Sequence, residues 1–466
     1  MKIHYKIMTL IFFILAIFLR VSLCMLNPPN NSFDNHFEPI SLIMQYGTIP
    51  AKNACWECFQ PPVFYAVSAK IGQLAFDMGA KPALILKLLQ FVCCFYGILT
   101  IVIIYLIINK FPLSSFSKLI SFGLLCFLPR HIYMSAMHSN DTMSYLFVAI
   151  CIYVLIINIE RNFPLRSLML LSLVISITIF IKYSTLVVLP IALVVFTFGF
   201  INLPKADRKK KVILFFLTLL VPLSILSTYI FSNVINYGKA LPANYEIFRN
   251  PAASQPRDEV RVSFLNFKPW KSIATPILAP GNLSSFWTLI YSGMWFDTEP
   301  KFICFMDSNT AWWRQYFGWQ NGEQRFPGDN HSMSKLTILE GSALITLGIF
   351  PIFLGFIGFT CYYATHRKLF SKYEWIETTK MSIFPVLLIS NAAGIIAVTL
   401  NMPVFSTMKA SYFLVSLSAF AIYLSLGVMV CESRNTLKWA IIIIFGGLFI
   451  IVFWHIIHIL SFLYRI

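Results

Sequence analysis

The sequence predicts an all-α polytopic membrane protein: about eleven transmembrane helices, an amphipathic first outer loop and a mixed outer cap. Three observations carry this. Of 466 residues, 58% are hydrophobic and 12% charged, with a mean hydropathy of +0.73; soluble domains carry roughly 25% charged residues. The apolar residues fall in stretches of about 20, the length at which a helix crosses the hydrocarbon core. The Lys and Arg residues collect in alternate short loops, the signature of positive-inside topology. Secreted enzymes, cytosolic enzymes and nucleic-acid-binding domains are thereby excluded, and the formal charge of +17 reads as topology rather than as a polyanion-binding face.

The first segment has Lys2 and Lys6, an apolar run from Ile7 to Leu19, then Arg20. Its end, Val21-Ser22-Leu23-Cys24, lacks the small residues of a cleavage site, so it reads as an uncleaved first helix with a cytoplasmic N-terminus. Further spans read at 83–109, 119–136, 143–158, 168–181, 184–200, 212–232, 341–364, 381–400, 411–430 and 439–463. The two halves around Lys182 are short for a straight crossing. With the N-terminus inside, the inner loops hold Lys110 and Lys118, Arg161 and Arg166, Lys205 with Arg208 to Lys211, Arg367 to Lys380, and Arg434 and Lys438. The short outer loops hold little beyond Lys182 and Lys409.

Three units follow. Residues 1–231 form an N-terminal transmembrane catalytic module that includes an outer loop at 27–82, residues 232–340 an outer loop domain, and residues 341–466 the C-terminal transmembrane helices. Long loops on one face point to one shared site there. Ten cysteines are scattered, at least half of them in apolar spans as small hydrophobes, and they make no disulfide framework. Cys55-Trp56-Glu57-Cys58 is compatible with a local disulfide, two thiols or a metal site; a zinc site would want two more ligands.

Polar groups recur at the outer ends of spans. Asp34, His36 and Glu38 precede a short amphipathic helix over 40–46, with Pro39 in its first turn and Gly47 as its stop. A carboxylate partly desolvated at a membrane surface is suited to act as a base, though Asp34 and Glu38 also fit the plain role of charging a helix start. His138-Ser139-Asn140-Asp141-Thr142 lies between two spans, with Asn140 or Asp141 as a candidate N-cap. Lys182-Tyr183-Ser184 interrupts an apolar stretch, where a lysine either serves function or snorkels. Lys409-Ala410-Ser411-Tyr412 opens the tenth span. The charge-based topology puts all four on one face.

The ordered set "SFDNHFEPISLIMQYGTIP", "QPPVFYAVSA", "HSNDTMSYLF", "FIKYSTLVVLP" and "STMKASYFLVSLSAF", spread over residues 1–430, resembles the glycosyltransferases of the C-type membrane fold that use lipid-phosphate sugars. Protein O-mannosyltransferases and lipid A aminoarabinose transferases are among that superfamily. The chain departs from the common pattern at Asn35, where a second acid often follows the first. The resemblance implies an integral-membrane enzyme that moves a sugar from a polyprenyl- or dolichyl-phosphate carrier to an acceptor hydroxyl on the outer face, with inversion. It casts Asp34 as general base and Glu38 and Asp141 as orienting carboxylates. Lys182, Lys409, Arg130 and His131 then meet the departing phosphate, and His36, Tyr183 and Tyr412 contact substrate. Trp287, Trp295, Trp312, Trp313 and Trp319 are candidates for sugar stacking or for the interfacial aromatic belt. No cofactor is expected, and nothing supports a divalent metal. The expected partners are the lipid-linked donor, a lipid, glycan or protein acceptor and the bilayer, with no nucleic acid. A bacterial inner membrane is preferred to the endoplasmic reticulum.

The alternative is a transporter or flippase of a lipid-linked or amphipathic substrate. Such proteins place polar groups near the midplane and carry internal symmetry, whereas here the polar groups sit at one surface and no fixed repeat is visible. A shared site requires Asp34 within about 15 Å of Asp141 or Lys182, the span of one sugar-phosphate in a ligand pocket.

Overall fold

The computed structural model describes residues 2–29, 35–202, 205–248, 262–270, 273, 285–296, 335–365, 375–401 and 407–464. Helix α1 (Lys2–Leu26) is followed by two short helices in the first long loop, α2 (Phe37–Tyr46) and α3 (Val63–Asp77). Then come α4 (Pro82–Asn109), α5 (Ser115–Phe127), α6 (Pro129–Ser135), α7 (Asn140–Glu160) and α8 (Leu165–Ile179). A 3-10 turn, η1 (Tyr183–Val187), leads into α9 (Val188–Asn202), and α10 (Lys205–Tyr237) follows. The second long loop contributes α11 (Asn244–Phe248) and α12 (Phe286–Trp295). The C-terminal part is α13 (Lys335–Leu347), α14 (Ile349–Thr365), α15 (Trp375–Asn401), η2 (Ala410–Ser416), α16 (Leu417–Cys431) and α17 (Asn435–Leu463).

All eleven apolar stretches fall on helices. Nine helical segments are long and apolar enough to cross a membrane among the described residues; the other two stretches land on the shorter Ser115–Phe127 and Leu165–Ile179. Two backbone events explain the short pieces. Pro129 cannot donate to Leu125, so the 119–136 stretch breaks into α5 and α6 at Leu128. Lys182 adopts extended backbone (φ −159°, ψ 150°) between α8 and η1. Both breaks lie among buried residues, where irregular backbone at membrane depth is tolerated.

Helix α2 begins at Phe37, three residues earlier than the apolar pattern suggested, and ends at Gly47, whose φ of 69° gives the left-handed cap that glycine adopts without strain. The core is built around α7, which packs on α4, α8, α9 and η2. A second centre is the α14–α16 contact, where backbones touch: a Cβ on Gly427 would lie 1.8 Å from the Leu354 carbonyl oxygen, and one on Gly358 would lie 2.0 Å from that of Tyr423. Small residues at such a crossing let two membrane helices approach. In the 232–340 segment the described elements are the end of α10, α11, α12, an isolated bridge from Ser263 to Ser285 and the start of α13; most of the expected mixed cap, with Trp312, Trp313 and Trp319, lies outside the described residues.

Candidate active site

Four distant stretches meet where α2, the start of α7, η1 and η2 converge. Asp141 sits in the first turn of α7. The N-cap is Ser139 rather than Asn140 or Asp141: its hydroxyl accepts the Asp141 N–H at 3.2 Å. Capping by the serine leaves the Asp141 carboxylate available, near the positive end of the helix dipole. That carboxylate takes the Ser139 hydroxyl at 3.1 Å on Oδ2 and the Lys182 ammonium at 2.6 Å on Oδ1. Both ion-pair side chains are nearly excluded from solvent, 8% exposed for Lys182 and 5% for Asp141. Lys182 therefore does not snorkel; the break before η1 turns it inward. The Tyr412 ring covers it, 5.1 Å from Nζ, and Tyr412 is held in η2 through its carbonyl, which accepts Asn391 Nδ2 at 3.1 Å. Tyr145 of α7 anchors the same turn by donating to the Ser411 carbonyl at 2.9 Å.

The first long loop enters through His36, which is buried. Its Nε2 lies 3.4 Å from the Ser139 hydroxyl and its Nδ1 2.9 Å from the Tyr65 hydroxyl of α3. Because Ser139 spends its proton on Asp141, the network closes when His36 carries its proton on Nε2 and accepts from Tyr65 on Nδ1. His138 lies beside it, and burial, with a smaller push from His36, depresses its pKa to about 3, so it stays neutral. Asp34 lies outside the described residues. Glu38 occupies the first turn of α2 with no side-chain partner among the described residues, consistent with charging a helix start.

The remaining candidates separate into neighbours. Arg130 and His131 are buried on α6, which packs against η2. His131 Nδ1 receives a hydrogen bond of 2.8 Å from Arg20 of α1, which also donates to the Cys126 and Leu125 carbonyls freed at the α5–α6 break. Lys409 caps η2 and is partly buried, with contacts of its own. The Tyr183 hydroxyl turns away from the Asp141 pair to the Phe59 carbonyl (3.0 Å), where Lys52 and Tyr229 join it. Trp295 is buried against Gly348, a packing role, whereas Trp287 is 39% exposed. The two long loops touch: Trp56 stacks on Phe248 at 5.7 Å, and the Lys52 N–H reaches the Tyr237 hydroxyl at 3.1 Å. Cys55 and Cys58 form a disulfide.

Sequence reasoning missed Ser139 as the hub, Tyr65, Arg20 and Lys52. Ser139 stood inside a noted polar run. The others carried no signal, since an arginine at a span end and a lysine in a loop are ordinary.

Among the described residues no group of three or more His, Cys, Asp or Glu is arranged to hold a metal ion. No family model and no curated protein sequence matches the chain. Solved structures do. The oligosaccharyltransferase of Archaeoglobus fulgidus, in complex with zinc and sulfate, aligns at 13% identity and a TM-score of 0.52 over 96% of this chain and 53% of that one. The same enzyme tethered by a disulfide to an acceptor peptide containing the NVT sequon aligns at 12% identity and a TM-score of 0.52, over 98% and 55%. ArnT of Cupriavidus metallidurans, in the apo state, gives 13% identity over 91% and 78% with a TM-score of only 0.36. The chain spans about half the length of the oligosaccharyltransferase it matches. Its fold is thus shared with about half of the Archaeoglobus fulgidus oligosaccharyltransferase.

Proposed function

We propose that the protein is an integral-membrane glycosyltransferase that takes a sugar from a polyprenyl- or dolichyl-phosphate carrier and passes it to an acceptor hydroxyl at the outer membrane surface. The observation that carries this reading is the buried Asp141–Lys182 pair under Tyr412, tied through Ser139 to His36 of the first outer loop. A carrier of this kind keeps its tail in the bilayer and its sugar-phosphate at headgroup depth, which demands a fixed cation and an oriented carboxylate in a dry site there.

In this reading Asp34 takes the proton from the acceptor hydroxyl as its oxygen attacks the anomeric carbon. The bond to the carrier phosphate breaks on the opposite side, and the configuration inverts. Asp34 precedes His36 by two residues, at most about 7 Å of backbone, which supports its reaching the Asp141 pair. Asp141 holds Lys182 and orients the donor sugar, while Lys182, with Lys409, Arg130 and His131 behind it, meets the charge that gathers on the leaving phosphate. A base positioned like this supplies about 10² to 10⁴-fold in rate. The site opens to the outer face with the N-terminus on the cytoplasmic side, as the charge pattern of the loops supports.

The test is mass spectrometry of glycolipids and glycoproteins from a deletion strain complemented with the wild-type or the Asp34→Asn protein. Loss of a single glycan class on deletion, restored by the wild type and not by Asp34→Asn, supports the reading. Full restoration by Asp34→Asn removes Asp34 as the base, and an unchanged glycan profile on deletion removes the reaction.

A further inference from the structure

Lys52, in the first outer loop, is 8% exposed. Its ammonium donates to three uncharged oxygens: the Tyr229 hydroxyl at 2.6 Å, the Phe59 carbonyl at 2.8 Å and the Tyr183 hydroxyl at 3.2 Å. It also lies over the Tyr229 ring, 4.6 Å from the centroid. The titratable groups around it are Tyr183 from η1 and Tyr229 and Tyr237 from α10, with the buried Glu57 on its own loop and Lys182 adjoining Tyr183. The Cys55–Cys58 disulfide closes the turn that presents Phe59 and does not titrate. No carboxylate forms an ion pair with Lys52 among the described residues, and burial alone brings its pKa down to about 8 from 10.5. A buried ammonium ordinarily brings its counter-charge with it. This one is seated in an aromatic and carbonyl cup instead.

We propose that Lys52 is a positioning residue, a proton-controlled latch that seats the first outer loop on η1 and α10 beside Lys182 and seats it more firmly once the amine is neutral. The sign follows from linkage. The seated loop disfavours the charged form, whereas a released loop gives it back to water. Seating is therefore weakest below about pH 8 and strengthens as pH rises from about 8 towards 10.5, by up to about 10²-fold in the seating equilibrium. A neutral amine still donates two N–H bonds and accepts one from a phenol, so the cup keeps its hydrogen bonds without the desolvation cost. The seated loop fixes Tyr183, the residue next to Lys182, and joins the segment that carries His36. The consequence for transfer rests on the glycosyltransferase reading; the seating itself does not.

The experiment is hydrogen–deuterium exchange of the full chain in lipid nanodiscs between pH 7 and 10, corrected for intrinsic exchange and read on peptides covering residues 48–62. Wild-type protection should rise at least about tenfold across that range. Lys52→Met, neutral throughout, should be protected at every pH. Lys52→Arg, charged throughout, should be less protected with no rise. A flat wild-type profile, or a Lys52→Met profile that rises like the wild type, overturns the latch. Sugar transfer from lipid-linked donor is followed in the same samples. Loosened residues 48–62 in Lys52→Arg with unchanged transfer overturn the positioning role. The predicted exchange pattern in a wild type that transfers no sugar sustains the latch and removes the reaction reading.

Discussion

Neutralising one member of the Asp141–Lys182 pair should hurt more than neutralising both. At 2.6 Å and an effective dielectric of 20, the mutual attraction is about 6 kcal/mol, offset by the cost of desolvating two charges with side chains 8% and 5% exposed. The net worth of the pair is therefore small, but an orphaned partner is not. Asp141→Asn leaves a buried ammonium with a neutral neighbour and Lys182→Met leaves a buried carboxylate, each costing about 3–5 kcal/mol. The double variant buries no charge, so it should cost less than either single and fall short of the sum of the singles by more than about 3–5 kcal/mol. Denaturant-driven unfolding in mixed micelles measures all four proteins on one scale. Additive losses within about 0.5 kcal/mol would show that the two side chains do not form the pair. In the reaction all three variants, including the well-folded double, should lose at least about 10²-fold in turnover, because each lacks the Lys182 cation or the Asp141 carboxylate that holds it.

Other perturbations follow from the packing. Ser139→Ala removes the cap of α7 and the link to His36, and should cost about 1 kcal/mol, read as a lower unfolding midpoint that Ser139→Thr restores. Gly427→Ala has to displace the Leu354 carbonyl, 1.8 Å from the new Cβ, and should destabilise by about 1–3 kcal/mol. Gly446→Ala, with nothing within 4 Å, is the control and should be neutral or slightly stabilising. Glu340 accepts from His455 at 2.7 Å and from His458 at 2.9 Å. Its Glu340→Gln variant should lower stability by about 1–3 kcal/mol in the same unfolding assay, and an unchanged midpoint would show that this buried cluster does not brace α13 against α17.

The architecture was legible wherever a single physical signal ran over 20 residues. Hydropathy located each of the nine long apolar helices among the described residues, because a bilayer penalises every misplaced polar group. Local signals were less decisive. Gly47 marked the end of α2 correctly, since a left-handed cap is a property of one residue. The cap of α7 was misassigned because Ser139, Asn140 and Asp141 are all good caps, and only the fold shows that Asp141 is spoken for by Lys182. Of the polar residues that the sequence singled out, His36, Asp141, Lys182 and Tyr412 converge. Their pairings were not legible, because a contact between residues 41 positions apart is set by how α7 and η1 pack and leaves no mark on either segment. Lys52 shows the limit most clearly: nothing in Ala51-Lys52-Asn53 separates a solvated lysine from one enclosed by Tyr183 and Tyr229.

The measurement that bears most directly on the account is single-turnover transfer by the purified protein in liposomes. It would use the labelled lipid-linked sugar pool of the source membranes and compare the wild type with Asp34→Asn. The wild type should release free carrier phosphate and label an acceptor in step, while Asp34→Asn binds the labelled lipid equally well and transfers at least about 10²-fold more slowly. Equal transfer by both proteins, or a wild type that moves the intact lipid-linked sugar between leaflets without cleaving it, would contradict the account.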